Sequence, residues 1–153
     1  MNIFVPYADS KKCAEALDDL RLNKMILETA QLLSTAAIFH GYVGDIYKST
    51  HLNHPCSVWT RETRENYNWL FIHMQDLVDE KFYRTGKIHG SVSIFGDLCS
   101  AANYIPYGPQ TPFANCTPHK SIHDVHLAYR CTLTDKWAAD KRPPKWTKRQ
   151  RPF

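Results

Sequence analysis

The sequence predicts a mostly α-helical fold: a compact single domain with three main helices joined by long irregular connections. Three observations carry that expectation. Two long segments place apolar residues at helical spacing behind capping residues, and a third repeats an apolar residue every four positions before a double proline. No stretch reads as a convincing strand ladder, and neither an internal repeat nor a low-complexity tract interrupts the chain.

Taken in order, residues 2–7 read as extended, after which Asp9 or Ser10 can cap a helix. The first helix is predicted from Lys11 to about Phe39, stopping at Gly41. A polar connection over residues 41–54 leads to His54-Pro55, where a proline suits a first helical turn because its missing N–H had no partner there anyway. The second helix is predicted from Pro55 to about Tyr83, burying Trp59, Trp69 or Leu70, Met74, Leu77 and Val78. Between 84 and 117 the density of Gly and Pro breaks long elements, leaving room for a short strand or helical turn within Ile88–Leu98. Thr117-Pro118 then opens a third helix to about Ala139, with Val125, Tyr129, Leu133 and Trp137 on one stripe and Pro143-Pro144 ending it. Residues 1–139 thus form a helical catalytic body, and 140–153 form a basic, aromatic tail belonging to the same domain.

Composition narrows the class. With 153 residues, 43% hydrophobic and 22% charged, the chain can bury one sizeable core, and no apolar run reaches the length of a bilayer span. The opening Met1-Asn2-Ile3-Phe4-Val5-Pro6 lacks the basic and apolar regions of a signal peptide. Five scattered cysteines without a CxxC pair suit a reducing cytoplasm better than a disulfide framework. The expected setting is cytoplasmic, within the host if the chain is phage-encoded, and the expected state is a monomer.

Charge supplies the first functional clue. The net charge of +4 is unevenly spread: Lys136, Lys141, Arg142, Lys145, Lys148, Arg149 and Arg151 crowd the last 18 residues against Asp140 alone. The rest of the chain is slightly acidic. Cations interleaved with Trp137, Trp146 and Phe153 suit phosphate tracking with stacking on bases, so double-stranded DNA is the expected partner. A solvated basic terminus is the plain alternative.

The first helix is apolar around most of its circumference, which marks a central, buried element. Its one polar sector holds Arg21, Lys24, Glu28, Gln31 and Thr35. That sector is either a solvent face with a Lys24–Glu28 pair four apart, or a charged groove for acid–base work in apolar surroundings. A second constellation precedes and enters the second helix. His51, Asn53 and His54 sit ahead of its N-terminus, and Arg61 and Arg64 lie one to two turns inside, an arrangement fit for backbone contacts or a base-reading pocket. His51, His54 and Cys56, and likewise Cys116, His119, His123 and His126, offer nitrogen and sulfur donors, but the spacings match no zinc signature. No metal and no cofactor are therefore expected. Glycine-rich phosphate loops are absent, which removes sequence support for a nucleotide cofactor, and no GxSxG elbow is present.

Three segments together carry a resemblance: Leu17-Asp18-Asp19-Leu20-Arg21-Leu22-Asn23-Lys24, Asn53-His54-Pro55 followed by Trp59, and Arg142-Pro143-Pro144-Lys145-Trp146. They resemble the pyrimidine-dimer DNA glycosylase family of phage endonuclease V-like enzymes. The resemblance implies an all-helical fold, glycosylase and abasic-site lyase activity without a metal, and a lesion unstacked from DNA. It further implies an N-terminal amine that attacks the sugar C1′, a helix glutamate that assists, and arginines that hold phosphates. Here Arg21 is followed by Leu22 rather than by the glutamate, and Glu28 is the next glutamate along the polar sector. Asn2 is bulkier than the residues that permit methionine removal, which leaves the Met1 amine or Lys24 as the nucleophile. The expected catalytic set is Met1, Lys24, Glu28 and Arg21. The expected DNA contacts are His51, Asn53, His54, Arg61, Arg64, Lys145, Trp146, Lys148 and Arg149. Group transfer onto a pyrimidine of phage DNA, or DNA binding without catalysis, are the competing functions.

Overall fold

The computed structural model describes every residue, Met1–Phe153, and contains no β-strand. Six α-helices follow one another: α1 (Ser10–Ala16), α2 (Asp19–Phe39), α3 (Pro55–Glu62), α4 (Arg64–Thr85), α5 (Phe95–Ala101) and α6 (Val125–Ala139). Short 3₁₀ turns at Gly90–Ile94 and Ala102–Tyr104 flank α5. The all-helical expectation holds, and the segment around Ile88–Leu98 is helical rather than a strand.

Three boundaries differ from the sequence reading, each for a definable reason. The single helix expected over Lys11–Phe39 is two. Leu17 is extended, and the Asp18 carboxylate caps α2 by accepting from the Arg21 N–H at 3.2 Å. The break is stable because distant side chains satisfy the freed carbonyls of α1. Arg84 donates to Glu15 O at 3.0 Å and to Leu17 O at 2.8 Å, while the Trp146 indole donates to Ala16 O at 3.0 Å. The expected Pro55–Tyr83 helix is also two, split at Thr63, whose extended backbone and hydroxyl cap α4 through the Asn66 N–H. The third helix begins at Val125 rather than Thr117, because Asp124 accepts from the His126 and Leu127 N–H groups and starts it there.

Helix α2 is the central element, packed along α3 and α4, while α1 lies against α4. Its Leu22, Met25, Ile26, Ala30, Leu32, Leu33 and Ala36 are buried, whereas Leu20 stands 71% exposed. From α3 and α4, Trp59, Leu70, Met74, Leu77 and Val78 join the core, and α6 adds Tyr129, Leu133 and Trp137. Helix α4 ends at Gly86, whose φ of 68° suits the left-handed cap that glycine adopts without penalty.

The tail folds back onto the body. Asp19 N–H donates to Lys145 O at 2.8 Å, Trp146 packs edge-on to Trp137 at 4.8 Å, and Thr147 bonds the Asp19 carboxylate. Arg149 spans Glu80 and Glu15 at 2.9 and 3.2 Å.

Candidate active site and nucleic-acid interface

Residues 2–6 are extended without a strand partner, so their backbone groups must be satisfied some other way. Helix α6 does this with three residues on one face. Val5 O lies 2.7 Å from His126 Nδ1, Pro6 O accepts from Arg130 Nε at 2.9 Å, and the Tyr129 hydroxyl lies 3.0 Å from Asn2 Oδ1. On the opposite side the Asn2 N–H donates to Glu28 Oε2 of α2 at 3.2 Å. The segment is thus clamped between α6 and α2. That clamp brings the Met1 α-amino group to 3.8 Å from the same Glu28 oxygen.

Glu28 gathers a second amine. Lys24, one turn earlier on α2, places Nζ 3.3 Å from Glu28 Oε1. The Glu28 side chain is only 12% exposed and the Met1 side chain 3%, whereas that of Lys24 is 67% exposed. The Met1 side chain is therefore anchored in the core while the residue as a whole stays partly exposed, and Lys24 projects into solvent. They share the wall of a cleft of about 250 Å³, with Asn2, Leu20, Glu28 and Lys136 also lining it. The polar sector of α2 is not a plain solvent face. Thr35 is buried and exchanges two 3.1 Å hydrogen bonds with the backbone of Thr50, holding the 41–54 connection against the helix.

That connection delivers His54 as the N-cap of α3, its Nδ1 accepting from the Cys56 N–H at 3.2 Å. Burial pushes the His54 imidazole below its usual range; the positive Met1 amine and His51 push the same way, and Glu28 opposes them. His54 therefore stands in the electrostatic field of the amine–carboxylate pair. His51 and Asn53 are exposed beside it, and the His51 backbone sits at a φ of 50°.

Other expected site residues are placed differently. Arg21 lines the cleft, yet its guanidinium grips Asp140 with two bonds of 2.8 and 2.9 Å and Asp18 with one of 3.0 Å. It ties the tail to α2. Arg61 donates to Leu52 O and lies over the Phe39 ring. Arg64 donates to Asn103 O and Ile105 O and stacks on Tyr107. Trp146 is half-buried against the core, Lys148 Nζ donates to Tyr83 O at 2.9 Å, and Arg149 is ion-paired. Lys145 keeps its ammonium free and lines, with Leu20, Lys141 and Arg142, a groove of about 490 Å³. Leu20 belongs to both that groove and the Met1–Glu28 cleft, which makes the two depressions neighbours.

A family model for pyrimidine dimer DNA glycosylases matches residues 1–93. The chain belongs to this family. The matched region contains α1 to α4 and every residue of the amine–carboxylate cluster, so membership in a DNA glycosylase family and the cleft coincide on the same part of the fold. Its substrate is accordingly DNA. Neither a curated protein nor a solved structure matches the chain.

Sequence reasoning missed Asn2, His126, Tyr129 and Arg130, the positioning residues of this glycosylase-family cleft. On α6 the signal was only the 126, 129, 130 spacing, which puts a polar atom from each, Tyr129 of the apolar stripe included, on one face. It also left Cys56 and Cys116 unpaired, although their sulfurs meet at 3.4 Å. No helix is long and apolar enough to cross a membrane.

Proposed function

We propose that the protein is a DNA glycosylase with abasic-site lyase activity, acting on a damaged or modified pyrimidine through the α-amine of Met1. The observation that carries this reading is the Met1 α-amine held 3.8 Å from the Glu28 carboxylate at the wall of an open cleft. The amine lone pair attacks C1′ of the target nucleotide while the base leaves with the electrons of its glycosidic bond. Glu28 accepts the proton that the amine sheds and faces the positive charge that develops on the sugar. Ring opening then gives an imine, from which the strand is cleaved by β-elimination. Of the two amines, that of Met1 is favoured as nucleophile. Its residue is fixed, with a buried side chain and the next residue's N–H bonded to Glu28, whereas the Lys24 side chain is 67% exposed. Lys24 then orients Glu28 and meets phosphate.

Duplex DNA fits the cationic side of the cleft: Lys136, Lys141, Arg142 and Lys145 form no ion pair within the protein and flank Leu20. His51, Asn53 and His54 approach from the opposite connection. Borohydride trapping tests the reading on duplexes carrying a pyrimidine dimer, uracil or an abasic site. A reduced covalent adduct is expected from the wild type and from Lys24→Met, and none from protein with a chemically blocked α-amine. Intact binding without any adduct would refute the imine route. An adduct lost only in Lys24→Met would move the nucleophile to that lysine.

A further inference from the structure

Two cysteines from segments 60 residues apart meet beside the amine cleft, with Sγ atoms 3.4 Å apart. Cys56 sits in the first turn of α3 and is fully buried; Cys116 lies in the strap ahead of α6 and is only partly buried. We propose that Cys56 and Cys116 are a peroxide-reactive thiol pair that closes into an intramolecular disulfide. Closure needs the sulfurs to approach by about 1.4 Å, a shift within reach of side-chain rotation and small movement of an irregular strap.

The two thiols are not equivalent, and the asymmetry assigns their roles. The Cys56 S–H bond, and behind it the Lys120 ammonium and the Tyr129 hydroxyl, pull the Cys116 thiol below its ordinary range against the opposing effect of burial. Cys116 is therefore the sulfur of the pair that more readily gives up its proton, and it is the more accessible one. Cys56 is held as the protonated thiol by that same bond and by burial. In the first step the Cys116 thiolate attacks one oxygen of hydrogen peroxide, forming a sulfenic acid while hydroxide leaves and becomes water. In the second step the Cys56 sulfur attacks the sulfenic sulfur. The S–S bond forms, and the departing hydroxide carries off the Cys56 proton as a second water. Two thiols are oxidised by two electrons and one peroxide is reduced. The other cysteines lack this arrangement. Cys13 is buried and donates to Tyr7 O at 3.0 Å, while Cys99 and Cys131 have no thiol partner.

His54 lies near both sulfurs, the three donors falling within 4.8 Å of one another. A metal fits this cluster less well than a disulfide does. Tetrahedral zinc thiolates hold their sulfurs about 3.8 Å apart, wider than the 3.4 Å here, and the cluster offers three donors where a closed structural zinc site takes four.

The experiment uses the reduced full chain, exposed to a few equivalents of hydrogen peroxide. Intact mass is expected to fall by about 2 Da, two of the five thiols to disappear from a titration in denaturant, and non-reducing peptide mapping to link Cys56 with Cys116. Cys56→Ser is expected to stop at the sulfenic acid, captured by dimedone on Cys116, and Cys116→Ser to show no mass loss. Five persistent thiols in the wild type, or a crosslink between other cysteines, would overturn the pair. So would about one zinc per chain in protein purified without chelator, which would make the cluster a metal site. None of these readouts depends on glycosylase activity.

Discussion

Replacing Glu28 by Gln removes one negative charge from the cleft while keeping the shape of the side chain and an oxygen that accepts from the Asn2 N–H. The carboxylate lies 3.8 Å from the Met1 amine, and in the proposed reaction the sugar cation would develop on a carbon next to that amine, at a comparable range. At the effective dielectric of about 20 that suits such sites, a unit charge pair at that separation interacts by about 4 kcal/mol. That corresponds to about three decades in rate. The side chain is only 12% exposed, so solvent screens little of the effect. Glu28→Gln should therefore slow base release by roughly 10²–10⁴-fold. Stability should fall by about 1–3 kcal/mol, because the variant keeps the acceptor for the Asn2 N–H but loses the charge that faces the Met1 ammonium, while the Lys24 partner, largely in water, adds little. Single-turnover cleavage of a duplex carrying a pyrimidine dimer gives the rate, fluorescence anisotropy on the same duplex gives binding, and thermal melting checks the fold. A folded, DNA-binding variant that retains activity to within about tenfold would remove Glu28 from the chemistry.

Four further outcomes are expected. Leu20→Ala removes the exposed apolar side chain between the cleft and the cationic groove, a position suited to wedging into the base stack; excision of a dimer should fall roughly 10-fold or more while cleavage at a preformed abasic site stays near wild type, and an equal effect on both substrates would exclude the wedge. Replacing Lys141, Arg142 and Lys145 together by Ala should flatten the slope of log K against log salt by up to ~2.7. Arg149→Ala should instead leave that slope nearly unchanged and destabilise the fold by about 1–3 kcal/mol, since it takes a charged partner from the buried Glu80; anisotropy salt titrations and denaturant melts distinguish the two variants, and a steep loss of salt dependence in Arg149→Ala would put that residue on DNA. Burial pushes His73 from its ordinary 6.5 down to about 4, against a bond to Ser10 O. The unfolded chain thus takes up the proton first as pH falls, so stability is full above pH 6.5 and declines towards pH 4 by about 3 kcal/mol; His73→Gln should flatten that decline in urea melts across the range, and an unaltered pH profile would show that His73 does not control it.

Signals confined to a turn or two of chain were legible from the residues. Asp9 caps α1, His54-Pro55 opens α3, and the four-residue repeat of α6 buries Tyr129, Leu133 and Trp137. These depend on neighbours whose spacing the helix geometry sets. The stripe of Arg21, Lys24 and Glu28 was visible for the same reason, and so was the family resemblance, which rests on short contiguous motifs. The tail illustrates the limit. Its charge was plain, but its partition was not: Arg149 is neutralised by Glu80, which lies 69 residues away, while Lys145 stays free.

By itself the sequence determined the helical class, the existence of a central apolar helix and the residue types available for amine, carboxylate and phosphate chemistry. The tertiary structure decided where helices stop and what meets. The break after α1 exists because Arg84 and Trp146, from α4 and the tail, satisfy its last carbonyls. The Met1 amine reaches Glu28 because α6 holds residues 2–6 from one side while Asn2 bonds Glu28, 26 positions on, from the other. Cys56 finds Cys116 only once the strap ahead of α6 has folded over α3. Each of these is a pairing of buried polar groups across long chain separations. Local spacing states which donors and acceptors exist, but only the packed chain path states which of them must satisfy one another away from water.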